Sequence, residues 1–174
     1  ETGDPTAAEI LSGHPEFVGQ VRTTCVATMA QAGHALNALP QSAKVSVNCR
    51  IFPGVAIDDV KAQLTKVVDD PSATITTLGD PTGSDASPLR EDVMQAVRDA
   101  VLARAPGIAI MPGMSAGATD SVHFRALGVP SYGVSSLFMR AEDGFAHGLN
   151  ERVPVAGIRE SLEQWDRVVR ALAK

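Results

Sequence analysis

The sequence predicts a protein of two parts, an α+β layer followed by an α/β layer, and three patterns support this fold class. Residues 43–52 alternate apolar and polar side chains, as a strand with one buried face does. Apolar residues recur at helical spacing in 57–68 and again in 155–172. Between these parts, the run 79–87 is dense in Gly, Pro, Asp and Ser, which favours a loop. We therefore place the boundary between the two parts at about residue 86.

The first part has the element order strand, strand, helix, strand. A strand is predicted from Arg22 to Met29, a second over 43–52, a helix over 57–68 and a third strand over Ala73–Leu78. The residues before them hold one predicted helical turn near Ala7–Leu11. This order indicates an antiparallel sheet with a helical face, similar to a ferredoxin-like module whose opening βα unit is absent.

The second part alternates helices and strands, which predicts α/β layering. Its first helix is expected to begin at Ser87-Pro88, because Ser caps helices well and Pro fits the first helical position. The later predicted elements are, in chain order, a strand at Ile108–Met111, a short helix ending at Leu127, a strand at Val129–Val134 and a long helix up to Leu172. One apolar stripe of that last helix is expected to dock on a core: Val155, Ile158, Leu162, Trp165, Val169 and Leu172.

Composition restricts the classes of function. The chain has 174 residues, a net charge of −5 and 44% hydrophobic residues, which suits one domain or two small ones. Its charges are spread along the chain, so nothing favours binding to nucleic acid or to an anionic membrane. No apolar run reaches the roughly 20 residues that span a bilayer, and Glu1–Pro5 is not expected to begin a signal peptide. We expect a soluble protein, and the sequence leaves its compartment open.

Two cysteines, Cys25 and Cys49, fall in the first and second predicted strands. They can pair if those two strands are neighbours. The other interpretation is that both are small buried side chains, which the frequent burial of free cysteine favours. The sequence therefore leaves the redox environment open.

His147 is the first candidate functional residue. It lies between small residues in the polar run 142–152, in a loop before the final helix where an imidazole has access to a metal. Glu151 is close enough in sequence to orient that imidazole. The alternative is an exposed loop histidine beside a surface ion pair, because one histidine alone does not form a zinc site.

Further candidates would bind substrate. Small residues from Ser115 through Gly117 to Thr119 precede a helix and offer backbone N–H groups to a carboxylate or an oxyanion; alternatively, they form a tight loop that Thr119 caps. Arg50, on the polar face of a strand, can bind a carboxylate with two hydrogen bonds, although most strand arginines are simply solvated. Asn37 can present its amide to substrate or stabilise a turn.

Four short motifs, taken in order, resemble those of one superfamily. They are Asn37-Ala38-Leu39-Pro40, Asn48-Cys49-Arg50-Ile51-Phe52-Pro53-Gly54, Ser115-Ala116-Gly117-Ala118-Thr119-Asp120 and Ala146-His147-Gly148-Leu149-Asn150-Glu151-Arg152. Over nearly all of residues 20–174, their order and spacing resemble the zinc-dependent aminopeptidase, carboxypeptidase and aminoacylase superfamily, nearest its carboxypeptidase S-like branch. In that group a ferredoxin-like lid, or dimerisation, domain interrupts an α/β catalytic domain. The resemblance implies that residues 1–86 are part of the lid and 87–174 the C-terminal part of the catalytic domain.

The resemblance also implies roles for the candidate residues. His147 matches the C-terminal metal ligand of the family. Arg50 matches a lid arginine that binds the substrate carboxylate, and Asn37 a lid asparagine that approaches the active site when the lid closes. The loop that borders the substrate is matched by Ser115, Gly117 and Thr119, with Asp120 supporting it.

The family chemistry that this implies is zinc-dependent hydrolysis of an amide or peptide bond, with two zinc ions, a bridging Asp and a Glu general base. The His-x-Asp motif, the Glu base and the other ligands have no match in this chain. No catalytic residue is therefore predicted within it, and we expect a fragment that is inactive without the N-terminal half of the same protein. Arg50 favours small peptides or N-acyl amino acids as substrates. The rival interpretations are a dimerisation or interaction module that pairs with a second copy, and a protein without bound metal.

Overall fold

The structure is a computed structural model that describes residues 4–144 and 146–173; residues 1–3, Phe145 and Lys174, which fall within the segments interpreted above, lie outside the described residues. The chain divides into two compact units. The first comprises the residues up to Ala86 together with Gly113–Pro130, and the second comprises Ser87–Pro112 with the residues from Ser131 onward. The two predicted domains stay a prediction. The chain does pass from the first unit to the second between Ala86 and Ser87, at the predicted boundary.

Two strands and six α-helices make up the regular structure of the described residues. The elements are α1 (Pro5–Ser12), α2 (Val18–Val21), β1 (Thr24–Ala32), β2 (Ala43–Arg50), α3 (Ile57–Val68), α4 (Glu91–Arg104), α5 (Ser121–Ala126) and α6 (Val155–Leu172), with a 3₁₀ turn at Ala141–Asp143 before α6. The bounds predicted for α3 and α6 from apolar spacing are confirmed. In the part of the chain that is described, no helix has the length and hydrophobicity needed to cross a bilayer.

Strands β1 and β2 pair as an antiparallel hairpin, which is the sheet of the first unit. Thr24 lies opposite Arg50 at the open end, and a β-bulge between Ala27 and Met29 shifts the register. The Thr23 hydroxyl accepts a hydrogen bond from the Phe52 backbone N–H at 2.9 Å, just beyond the ladder. A small antiparallel sheet accompanied by helices is the α+β arrangement predicted for this part of the chain.

Three segments that the sequence predicts as strands are irregular in the structure: Ala73–Leu78, Ile108–Met111 and Val129–Val134. These predictions are wrong. β-Branched residues favour an extended backbone, but a strand forms only where its N–H and C=O groups pair with a neighbouring strand. Among the described residues, strand pairing is confined to β1 and β2.

Helix α4 begins three residues later than the Ser87-Pro88 signal indicates, with Arg90 at its N-cap and no side-chain cap bond. The Ser87 hydroxyl is engaged elsewhere. It donates to the Ser131 backbone carbonyl at 2.8 Å and accepts from the Ser131 N–H at 2.9 Å. The Tyr132 hydroxyl donates to the Pro88 carbonyl at 2.6 Å. The cap prediction is wrong because Ser87 instead fixes the start of this segment to residues 131–132.

The core of the second unit lies where α4 packs against α6. Its buried apolar residues are Ala96, Ala100 and Val101 on α4 and Val168 on α6. The apolar stripe predicted to dock is instead 39–83% exposed. Helix α6 turns the adjacent stripe inward, with Gly157, Gln164 and Val168 buried.

A polar network explains why this other stripe of α6 is buried. Gln164 donates to the Ser135 carbonyl at 2.9 Å and accepts from the Arg104 guanidinium at 3.1 Å. Arg104 also pairs with Glu160 at 2.6 Å and lies 4.0 Å from the centre of the Phe138 ring. Because a buried polar group is costly unless it is hydrogen-bonded, these bonds make the burial of Gln164 tolerable.

Candidate functional site

The Arg50 side chain is exposed at the open end of the hairpin, as the last residue of β2. Cross-strand partners share a face of the sheet, so Arg50 lies on the same face as Thr24 and as Asn48, which is two residues earlier. Within the described residues its guanidinium has no hydrogen bond or ion pair. Arginine offers a planar fork of donors that matches a carboxylate, so this group is available for an anionic ligand.

A disulfide bond joins Cys25 to Cys49 beside this arginine. The two residues lie directly opposite each other in the register of the hairpin, with their Cα atoms 4.1 Å apart. Cys25 is exposed and Cys49 is half-buried. The interpretation of two buried free thiols is therefore wrong, because strand pairing places both cysteines together on one face.

Asn37 lies at the other end of the hairpin, exposed in the turn between β1 and β2. Strands rise about 3.4 Å per residue, so the length of β2 separates this turn from Arg50 by roughly 24 Å. The hairpin therefore does not bring the two residues together in one copy of the chain. Their predicted roles toward one substrate stay a prediction.

The loop that carries Ser115, Gly117 and Thr119 belongs to the first unit. The Gly117 N–H donates to the Ser115 hydroxyl at 3.2 Å, so this amide already has a partner. Helix α5 follows with Asp120, not Thr119, at its N-cap and without a side-chain cap bond. The alternative of a Thr119 cap is therefore wrong, and substrate contact by this loop stays a prediction.

Gly19 in α2 faces this loop at close range. A Cβ atom at Gly19 would lie 2.8 Å from the Cβ of Ala116, a distance that real Cβ atoms do not adopt. Only glycine therefore permits this approach of helix and loop. The sequence interpretation missed Gly19, because nothing in its local pattern indicates a partner almost a hundred positions away.

His147 lies in the second unit, in the loop before α6, and its side chain is exposed. Its backbone has φ +64°, in the left-handed region, and Asn150 has the same value. A non-glycine residue in this region costs roughly 1–2 kcal/mol unless surrounding contacts hold it. One such contact is the Glu151 carboxylate, which accepts the His147 backbone N–H at 3.0 Å. The prediction that Glu151 orients the imidazole needs correction, since the observed bond is to the backbone.

An ion pair joins the two ends of the same loop, with one partner before His147 and the other after it. The Arg152 guanidinium donates through Nε to Asp143 Oδ1 at 2.8 Å, and its Nη2 lies 2.5 Å from the same oxygen. Asp143 ends the 3₁₀ turn, while Arg152 precedes α6. The sequence shows both charges in the polar run, but not that they pair with each other.

The residues present fit one metal ligand and not a complete site. Among the described residues, no group of three or more His, Cys, Asp or Glu side chains is placed to hold a metal ion. Zinc sites use three or four protein ligands, so the described part of the chain does not form one alone. A metal-binding role for the exposed imidazole of His147 stays a prediction.

Comparison with known proteins shows what the chain is similar to. Residues 5–76 match the peptidase dimerisation domain. The chain is 26% identical over 163 residues to the N-fatty-acyl-amino acid synthase/hydrolase PM20D1 of Mus musculus, which covers 91% of this chain and 32% of that protein. It is 29% identical over 171 residues to the Xenopus tropicalis protein of the same name, covering 95% and 33%.

A third relative has a different name. The chain is 21% identical over 177 residues to the probable carboxypeptidase S-like 2 of Dictyostelium discoideum, covering 98% of this chain and 33% of that protein. No solved structure matches the chain significantly. The chain thus spans about a third of the length of its curated relatives. Residues 5–76 thus match the dimerisation domain of the M20 peptidases, and the chain is similar over most of its length to N-fatty-acyl-amino acid synthase/hydrolases and to a carboxypeptidase S-like protein.

Proposed function

We propose that this chain is part of a metal-dependent hydrolase that cleaves an amide or peptide bond next to a free carboxylate. The observation that carries the proposal is its similarity, over 91% and 98% of its length, to an N-fatty-acyl-amino acid synthase/hydrolase and to a carboxypeptidase S-like protein. Both names describe substrates that end in a free carboxylate. In this proposal residues 1–86 act as part of the lid and 87–174 as the end of an α/β catalytic domain.

Arg50 and His147 have the central roles in this proposal. The unpaired guanidinium of Arg50 binds the substrate carboxylate, and Asn37 and the loop of Ser115, Gly117 and Thr119 contact the substrate near it. His147 supplies one ligand to a zinc centre of two ions, and the remaining ligands and the general base come from the rest of the protein. Zinc in such a centre polarises the scissile carbonyl and lowers the pKa of a bound water.

Replacing Arg50 by Ala in the complete protein is expected to raise KM for an N-acyl amino acid about 10- to 100-fold, with kcat little changed. A charge-assisted hydrogen bond contributes about 1.5–3 kcal/mol, and a contact that is equal in ground and transition states appears in KM alone. Steady-state kinetics on an acyl amino acid and on its methyl ester measure this. The ester lacks the anionic carboxylate and should respond little to the substitution.

Two controls accompany this test. Lys44 is an exposed cation on the same face of β2, about 20 Å from Arg50, so Lys44→Ala should leave KM unchanged. The 174-residue chain without the rest of the protein should show no hydrolysis. An unchanged KM in Arg50→Ala would refute the carboxylate role, and metal-dependent hydrolysis by the isolated chain would refute its inactivity.

A second role, homodimer formation through the dimerisation domain, is supported by the exposed hairpin. Val26, Met29, Val45 and Val47 on its two strands are 45–62% exposed, and partner surfaces are one reason for such exposure. Sedimentation of the chain should give the mass of a dimer at micromolar concentration. Val26→Asp should shift it toward the monomer, whereas an unsubstituted chain that stays monomeric would contradict this role.

A further inference from the structure

The open end of the hairpin is a short stretch of ladder that ends at Arg50. Four cross-strand pairs form it, from Thr24–Arg50 to Ala27–Val47. The β-bulge between Ala27 and Met29 separates this stretch from the rest of the two strands. A bulge leaves a residue unpaired and disrupts the ladder locally. The position of the Arg50 backbone therefore depends chiefly on contacts within the open end itself.

Two contacts join the strands close to Arg50. The Cys25–Cys49 disulfide lies one position before it along β2. Two positions after it, the Phe52 backbone N–H donates to the Thr23 hydroxyl at 2.9 Å. The described residues bury no apolar side chain on either strand, and a hydrogen bond between neutral groups adds little net stability. The covalent bridge is therefore the main restraint on the backbone at Arg50.

The disulfide is accessible to a reductant and lies apart from the arginine side chain. Cys25 is exposed and Cys49 is half-buried, and exposed disulfides are among the more readily reduced ones. Successive side chains of a strand point to opposite faces, so the bridge and the Arg50 guanidinium lie on opposite faces of the hairpin. A thiolate can therefore attack the bridge without contact with a ligand at Arg50. Any effect of reduction on that ligand passes through the backbone.

We propose that the Cys25–Cys49 disulfide is a redox switch, which holds Arg50 in position for a substrate carboxylate while the bond is intact and frees it on reduction. The inference rests on the proposed function, because it needs Arg50 to bind that carboxylate. A dithiol reductant is the chemical class that operates the switch. One of its thiolates attacks a sulfur of the bridge and forms a mixed disulfide, which its second thiol resolves. The two thiol protons of the reductant end on the cysteines, and the reductant leaves as a disulfide.

Reduction of the complete protein is expected to raise KM for an N-acyl amino acid about 5- to 30-fold, the factor that corresponds to fixing the backbone of one freed residue again on binding. The kcat should change little, because the contact is equal in ground and transition states. The methyl ester offers Arg50 no carboxylate, so its KM should also change little. The alternative is a bridge that only stabilises the hairpin, and it predicts that reduction affects acid and ester alike.

The experiment measures both KM values before reduction, after reduction with a phosphine and after reoxidation. The phosphine takes an oxygen atom from water as it converts the bridge to two thiols, and it leaves no dithiol to remove a metal from the enzyme. Continued hydrolysis of the ester shows that the reduced protein stays folded. The rise in KM for the acid should reverse on reoxidation, a result that needs no substituted protein.

Three variants locate the effect. In Arg50→Ala the reductant should no longer change KM for the acid, because two changes that act through one contact are not additive. Lys44→Ala is the matched control, since Lys44 is an exposed cation near the other end of β2, and it should keep the full response. The protein with both Cys25→Ser and Cys49→Ser should have the KM of the reduced protein with or without the phosphine.

Failure of the inference and failure of the proposed function give different results. If Arg50→Ala raises KM for the acid while reduction leaves it unchanged, Arg50 binds the carboxylate but the bridge is not a switch. If Arg50→Ala leaves KM unchanged in the oxidised protein, the proposed carboxylate role is wrong and the inference fails with it. An equal rise for acid and ester, or a rise that persists in Arg50→Ala, would also overturn the inference, because the bridge would then not act through this arginine.

Discussion

Reduction of the Cys25–Cys49 disulfide is expected to lower the free energy of unfolding of the hairpin by about 3 kcal/mol. The bond closes a loop over a sequence separation of 24, and closing a loop of this size in the unfolded chain accounts for a loss of that order. The hairpin has little else to hold it. The buried apolar residues of the described chain all lie on α4 and α6, and a two-stranded hairpin is marginal by itself in water.

Hydrogen exchange of backbone amides with and without a reductant measures this effect site by site. Amides of β1 and β2 should exchange about 100-fold faster after reduction, as a loss of about 3 kcal/mol in opening free energy requires. Amides in the α4–α6 core serve as an internal control and should keep their rates. A variant with both Cys25→Ser and Cys49→Ser should show the exchange rates of the reduced protein. Adding the reductant should not change those rates. Equal protection of the hairpin before and after reduction would contradict the expected role of the bond.

The elements that depend on local pattern could be predicted from the sequence. Apolar spacing gives the bounds of α3 and α6, and alternation identifies the strands that became β1 and β2. These patterns lie within short stretches of sequence, so they can be recognised without knowledge of distant partners. The short helix predicted to end at Leu127 is α5, and Gly128 after it has φ +78°, which glycine adopts readily at the end of a helix.

Features that depend on distant partners could not be predicted. The run Ala73–Leu78 has the composition of a strand, but strand formation depends on a neighbouring strand that its own residues do not specify. Apolar spacing in α6 identified the helix but not its buried face, because Gln164 gains its burial from Arg104, sixty positions earlier. The disulfide likewise required the register that places Cys25 opposite Cys49.

The candidate site also has some features that could be predicted from the sequence and others that could not. Position in the chain suggested that His147 and Glu151 act together, since they lie four residues apart in one loop. The sequence could not show that the bond reaches the backbone of His147, because that depends on the left-handed turn at His147 and Asn150. Arg50 was identified by its place on a polar strand face, whereas its lack of a partner among the described residues is a property of the folded hairpin.

Replacing His147 by Ala in the complete protein is expected to weaken zinc binding about 100- to 1000-fold. Structural zinc sites with four ligands bind with roughly 10–16 kcal/mol, so one ligand accounts for about 2.5–4 kcal/mol on average. The loss should appear as metal release during dialysis and as loss of hydrolysis that added zinc restores in part. His123→Ala is a matched control, because His123 is also exposed, on α5 in the first unit.

The most direct test of the whole account is the zinc dissociation constant of the complete protein, measured by chelator competition for the unsubstituted, His147→Ala and His123→Ala forms. We expect a large increase for His147→Ala and no change for His123→Ala. Equal zinc affinity in all three proteins would contradict the claim that this chain contributes a ligand to a metal centre.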